Sequence, residues 1–119
     1  MSADNGNIVA ETFAPLEAKK FDAGKLRWAL LPWDAVGEVV KVLMYGAKKY
    51  GPWNWCSHGG MDWTRLSDAS IRHVIAWQQG QDNDEDESGL PHLAHAACGL
   101  LFLLAYSLRG IGKDDRHVG

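Results

Sequence analysis

Five carboxylates crowd one short stretch of this sequence: Asp82, Asp84, Glu85, Asp86 and Glu87. Such a run is commonly a solvated loop. This one, however, leads through Ser88-Gly89-Leu90-Pro91 straight into an apolar segment that begins at His92. Carboxylates held at the start of a helix keep fixed directions, and fixed oxygens are what Mg²⁺ takes as ligands while it keeps several waters for phosphates to displace. His92 and His95 follow one helical turn apart, and His73 lies on an upstream segment of helical pattern. The three imidazoles can bind a transition metal directly or hold a metal-binding carboxylate from behind. Glu38 can pair with Lys41 across one turn, or it can reach inward as a metal ligand, as carboxylates on facing helices of a bundle do. Lys25, Arg27, Lys48, Lys49 and Arg72 sit beside turns or helix ends and supply positive charge for a polyphosphate.

Three helices must position these groups. Pro32 and Asp34 announce the first, over residues 34–49, because proline and an acidic side chain both suit a helix N-terminus. Val36, Val39, Val40, Leu43 and Ala47 recur along it at helical spacing, and Gly51-Pro52 ends it. A loop of aromatics and glycines follows, containing Trp53, Asn54 and Trp55. Asp62 or Thr64 caps a second helix that runs to Gln79 and stops at Gly80. Its apolar side carries Leu66, Ala69, His73, Ala76 and Trp77. Ser88 is expected to cap the third helix, with Pro91 in its first turn and Gly110 closing it. From residue 93 to 108 that helix is apolar almost all round, so it needs cover on every side. Three helices of one chain can hardly provide it, which predicts a homo-oligomer, dimer or tetramer. The expected fold is an all-α helical bundle, with a flexible segment over residues 1–19, a helical domain over 20–110 and a loose tail over 111–119.

Composition narrows the partners. A chain of 119 residues makes a single domain. Its formal net charge of −3 leaves no basic excess for duplex nucleic acid. Cys56 and Cys98 lie far apart, too few for a disulfide scaffold and without zinc-motif spacing, which suits a reducing cytoplasm. The N-terminus lacks the apolar core of a signal peptide. The longest apolar run, residues 96–106, is short of the ~20 needed to cross a bilayer. The 6 tryptophans can fill the core or, in loops, stack on a base.

Several ordered blocks carry a resemblance. Lys20-Phe21-Asp22-x-Gly24-Lys25-x-Arg27, Leu30-Leu31-Pro32, Tyr45-Gly46-Ala47-Lys48-Lys49-Tyr50 and Asn54-Trp55 resemble the phage dATP/dGTP diphosphohydrolase family. So do Arg72-His73, residues 84–87, Ser88-Gly89 and His92-Leu93-Ala94-His95-Ala96. That family is similar to the MazG-like all-α nucleoside triphosphate pyrophosphohydrolases. It includes the MazZ proteins of phages that replace adenine by 2-aminoadenine, where dGTP is converted to dGMP. The sequence departs from the wider MazG-like pattern of Glu-x-x-Glu and Glu-x-x-Asp: it reads Glu38-x-x-Lys41 and His92-x-x-His95, with Gln81 where a glutamate is expected.

The resemblance implies a soluble cytoplasmic enzyme that cleaves a purine deoxynucleoside triphosphate, dGTP or dATP, to monophosphate and pyrophosphate. Two or more Mg²⁺ or Mn²⁺ would grip the phosphates and activate the attacking water. Glu38, Asp84 and Glu87 are the implied metal ligands, with His95 as a ligand or a support behind one. Glu38 and Glu87 are the implied catalytic carboxylates, Glu38 as ligand or as general base. Trp28 or Trp55 would stack on the purine, and Asn54 would bond its edge or the sugar. Two other readings compete. One is a His/Asp-type phosphohydrolase using His73, His92, His95 and Asp84 as direct ligands; the other is a nucleotide-binding module without turnover.

Overall fold

The computed structural model describes residues 18–119. Most of the segment read as flexible, residues 1–17, therefore lies outside the described residues. The chain forms two compact units that meet at Leu30–Leu31. Within the first, the Lys25 amide donates to the Asp22 carbonyl at 3.0 Å to close a turn through Gly24 (φ 82°). A single 3₁₀ turn, Trp28–Leu30, follows. Lys25, Arg27 and Trp28 belong to this unit, and all three are exposed.

The second unit is all-α among the described residues, with isolated β-bridges but no strand. Helix α1 spans Trp33–Tyr50, α2 Trp63–Gln78 and α3 His92–Arg109. A kinked 3₁₀ segment, Asn54–Gly59, links α1 to α2. Helix α1 starts at Pro32 with Asp34 in its first turn and ends with Lys48 and Lys49 in its last, each charge placed to oppose the helix dipole. The Gly51 amide then closes on the Ala47 carbonyl at 2.8 Å.

The core is built where α3 meets α1 and α2. Val42, Ala94 and Cys98 are buried, with Val39, Leu43, Leu90 and Phe102 packed around them. The inward stripe of α1 therefore runs through Val39, Val42 and Leu43, while Val40, expected on it, is largely exposed. Helices α2 and α3 approach closely at Gly99, where an added Cβ would fall on the Ser70 hydroxyl. Ser70 itself donates to the Ala96 carbonyl at 2.9 Å, so a buried hydroxyl is satisfied at that crossing.

Two expectations about element ends are corrected. Ser88 does not cap α3: Pro91 holds the N-cap position, and the Ser88 hydroxyl instead accepts from the Leu90 amide and meets His95. Pro91 has no N–H to satisfy and its backbone is extended, so the chain enters α3 without a side-chain cap. Residues 111–115 are not loose. The amides of Gly112 and Lys113 donate to the carbonyls of Gly59 and Met61, and the Lys113 carbonyl accepts from the Trp63 amide at 2.9 Å. The Asp115 carboxylate takes hydrogen bonds from the amide and hydroxyl of Thr64 at 2.9 and 2.5 Å. It thus caps α2 from the far end of the chain, a role that no local sequence pattern announces.

Buried Tyr106 locks the same region. Its hydroxyl donates to the Trp55 carbonyl and accepts from the Met61 amide, satisfying two loop groups from the last turn of α3.

Candidate functional site

Three hollows border α3 among the described residues, and Trp55 lines two of them. One, of about 590 Å³, is lined almost wholly by apolar residues such as Met44, Leu101 and Leu108, with Arg109 at its edge. A second, of about 480 Å³, is lined from all three helices and the acidic connection. Only the second gathers groups able to do chemistry. It takes Lys49 from α1, Arg65 and His73 from α2, His95 from α3, Asn54 and Trp55 from the 3₁₀ segment, and Asp84 and Glu87 from the connection.

Backbone hydrogen bonds shape the connection. The amides of Gly89 and Asp84 bond to the carbonyls of Asp84 and Leu90 at 2.7 and 2.8 Å, closing residues 84–90 into a tight loop. The His92 amide donates to the Asp82 carbonyl at 2.9 Å and ties that loop to the start of α3. Asp84 is consequently held inside, its side chain 13% exposed, with a carboxylate oxygen 3.7 Å from His95 Nε2. The same nitrogen meets the Ser88 hydroxyl at 2.6 Å. Glu87 lies at the rim, paired with Lys49 at 3.0 Å. The Glu87 carboxylate holds the Lys49 ammonium above its ordinary range, and Lys49 in turn pulls the Glu87 carboxyl down. Both side chains are well exposed, so the pair is readily parted.

The histidines form one connected group. His73 and His95 stack at 4.5 Å with an interplanar angle of 11°. His73 Nδ1 meets His92 Nδ1 at 2.8 Å, and His92 Nε2 meets the Gln81 side-chain oxygen at 2.6 Å. Burial lowers the pKa of His73, and the neighbouring His95 and His92 lower it further. Burial also lowers His95, against the pull of Asp84. Both shifts favour the neutral imidazole at His73 and His95.

The structure brings together Lys49, Asn54, Trp55, His73, Asp84, Glu87 and His95 of the residues singled out in the sequence. Glu38, Lys48 and Arg72 are not among the residues lining the cavity. Glu38 is paired with Lys41 at 2.8 Å. It nevertheless falls on the helical stripe of Val42, Tyr45 and Lys49, one turn before the first of these, since positions 4, 7 and 11 residues on share a face. Trp55 is a wall rather than an open platform on one side. Its ring stacks on Phe102 at 4.4 Å and 4°, and the Arg109 guanidinium lies 5.4 Å from its centre. Sequence reasoning passed over Arg65 and Tyr45. Arg65 precedes Leu66, Ala69 and His73 on the inward side of α2, a position that could have marked it ahead of Arg72. Among the described residues, no three His, Cys, Asp or Glu side chains converge to hold a metal ion as they stand.

An all-helical unit whose cavity opposes cations to carboxylates is built to receive an anion together with a countercharge. The chain belongs to the dATP/dGTP diphosphohydrolase family: the model of that family's N-terminal region matches residues 16–116. A dATP/dGTP diphosphohydrolase of Salmonella phage PMBT28 is 42% identical over 98 residues, covering 82% of this chain and 32% of the phage protein. The chain thus spans about a third of the length of that relative. No solved structure matches.

Proposed function

We propose that the cavity binds a purine deoxynucleoside triphosphate and hydrolyses it to the monophosphate and pyrophosphate. One observation carries this reading: Lys49, Arg65, Asp84 and Glu87 all line a single cavity of about 480 Å³, a volume in the range of small-molecule sites. Family membership and the activity named for the phage relative supply the substrate class.

Mg²⁺ or Mn²⁺ fits the donor set. Asp84 and Glu87 offer hard oxygens, and Mg²⁺ is usually held by one or two carboxylates and the substrate's own phosphates rather than by an all-protein cage. Glu38, freed from Lys41, would add a third carboxylate from its stripe on α1. When bound, such an ion supplies Lewis acidity at the phosphoryl oxygens and eases ionisation of water. The chain's own residues do the rest. His95 and Ser88 steer the Asp84 carboxylate. Lys49, released from Glu87, and Arg65 hold phosphate oxygens and stabilise the charge that develops on them. Asn54 bonds the base edge or sugar, and the uncovered part of Trp55 borders the base. Lys48 and Arg72, outside the cavity, add longer-range attraction for the anion. His92 spends both ring nitrogens within the protein, which speaks against a site of direct histidine ligands.

The test is a panel of dNTPs and NTPs with Mg²⁺ or Mn²⁺ and chromatographic identification of products. Pyrophosphate and dGMP or dAMP are expected, with dGTP preferred, as suits the cytoplasm of an infected host making precursors for 2-aminoadenine DNA. Release of inorganic triphosphate or single phosphates would assign the chain to the other hydrolase class, and binding without turnover to a sensor. We also propose that a second copy of the chain covers the exposed leucines of α3.

A further inference from the structure

Gln81, His92 and His73 form a chain of hydrogen bonds that runs from the connection, through the protein, to the cavity wall. Each link has a direction. An amide oxygen only accepts, so the contact at 2.6 Å requires His92 Nε2 to carry the proton. His92 is buried, at 4% exposure, and a neutral ring protonated at Nε2 has a lone pair at Nδ1. The 2.8 Å contact between the two Nδ1 atoms needs one donor and one acceptor. His73 Nδ1 must therefore donate. A neutral His73 protonated at Nδ1 carries its lone pair at Nε2, on the ring edge away from His92. Among the described residues, no hydrogen bond engages that nitrogen, and His73 lines the cavity. The flat stack on His95 occupies a face of the ring, not its edge.

We propose that Gln81 is a positioning residue: acting through His92, it fixes the tautomer of His73 so that His73 Nε2 accepts a hydrogen bond from the water that attacks the nucleotide. The role in hydrolysis rests on the function proposed above; the tautomer does not. A glutamine suits this task because its oxygen sets the direction of the relay without adding charge beside buried His92. His73 takes the water-orienting part in preference to Glu38, which is held by Lys41 outside the cavity lining.

The experiment has two arms on the full chain. Long-range ¹H–¹⁵N spectra of the imidazoles, assigned with His73→Gln and His92→Gln, report which ring nitrogen is protonated. Wild type is expected to show His92 protonated at Nε2 and His73 bare at Nε2. Gln81→Leu, which removes the acceptor, should return the pair to mixed tautomers. In the kinetic arm, Gln81→Leu should lower kcat between roughly tenfold and a hundredfold with little change in KM, as misplacing a reactant does. A His73 protonated at Nε2 in the wild type overturns the relay, even if Gln81→Leu fails to fold. Wild-type kcat in a folded Gln81→Leu also overturns it. Absence of any dNTP hydrolysis by the wild type, with the expected tautomers present, would remove the proposed function and with it the role of the water, while leaving the relay standing.

Discussion

At the scale of single residues, the site depends on which member of each neighbouring pair faces inward. Lys49 lines the cavity and Lys48 does not; Arg65 lines it and Arg72 does not. Glu87→Ala removes a rim carboxylate whose side-chain partner among the described residues is Lys49. The expected outcome is an unchanged melting temperature, with pyrophosphate release reduced by more than the ~10–100-fold that losing an outer partner of a metal site costs. Thermal melts and a coupled pyrophosphate assay check both parts, and full retained activity would remove Glu87 from the site. The types of residue needed were legible in the sequence: acids before a helix, histidines one turn apart, lysines at a helix end. Of their pairings, that of Glu38 with Lys41 was legible, one turn apart on one helix. That of Glu87 with Lys49 was not, because it depends on the rotation of α1 and the fold of the connection.

At the scale of elements, helix bounds followed closely from the sequence because proline, glycine and apolar period act locally. Residues 34–49 were expected for α1 and Trp33–Tyr50 is observed; Gly110, left-handed at φ 67°, closes α3 as anticipated. What escaped were contacts between elements: the seat of Gly99 on Ser70, and the capping of α2 by Asp115. Gly99→Ala should cost about 1–3 kcal/mol, the usual range for overpacking, because the new methyl meets the Ser70 hydroxyl. Adding Ser70→Gly should recover part of the loss, and urea denaturation of the single and double variants measures both. Asp115 makes a pH prediction. Its hydrogen bonds from Thr64 hold the carboxyl below its ordinary value of 3.8. Since the folded pKa is depressed, the stabilisation is present above that value and is lost as pH falls through the folded pKa. The gap in melting temperature between wild type and Asp115→Ala should therefore be constant from neutral pH down to about pH 5 and shrink below it. A gap that widens in acid would assign Asp115 no capping role.

At the scale of the whole molecule, three helices leave much apolar surface uncovered. On α3, Leu100, Leu101 and Leu104 are about half exposed and Leu108 is 79% exposed, while α2 shows Ile71 and Ile75. By length and composition α3 could even pass for a short membrane span. Contiguous apolar surface of this kind marks an interaction site. If a second copy covers it, light scattering after gel filtration should give a dimer or tetramer at micromolar concentration, and Leu104→Glu with Leu108→Glu should yield a monomer. A monomeric wild type would leave that surface to another partner. The need for cover was legible from the all-round apolarity of residues 93–108.

Trp55 borders two of the hollows, the polar cavity on one side and the apolar groove on the other. Stacked on Phe102 and fixed through its carbonyl by Tyr106, this indole is a shared partition. It cannot shift to accommodate an occupant of one chamber without altering the shape of the other. An occupant of the groove thereby presses on a wall of the polar cavity.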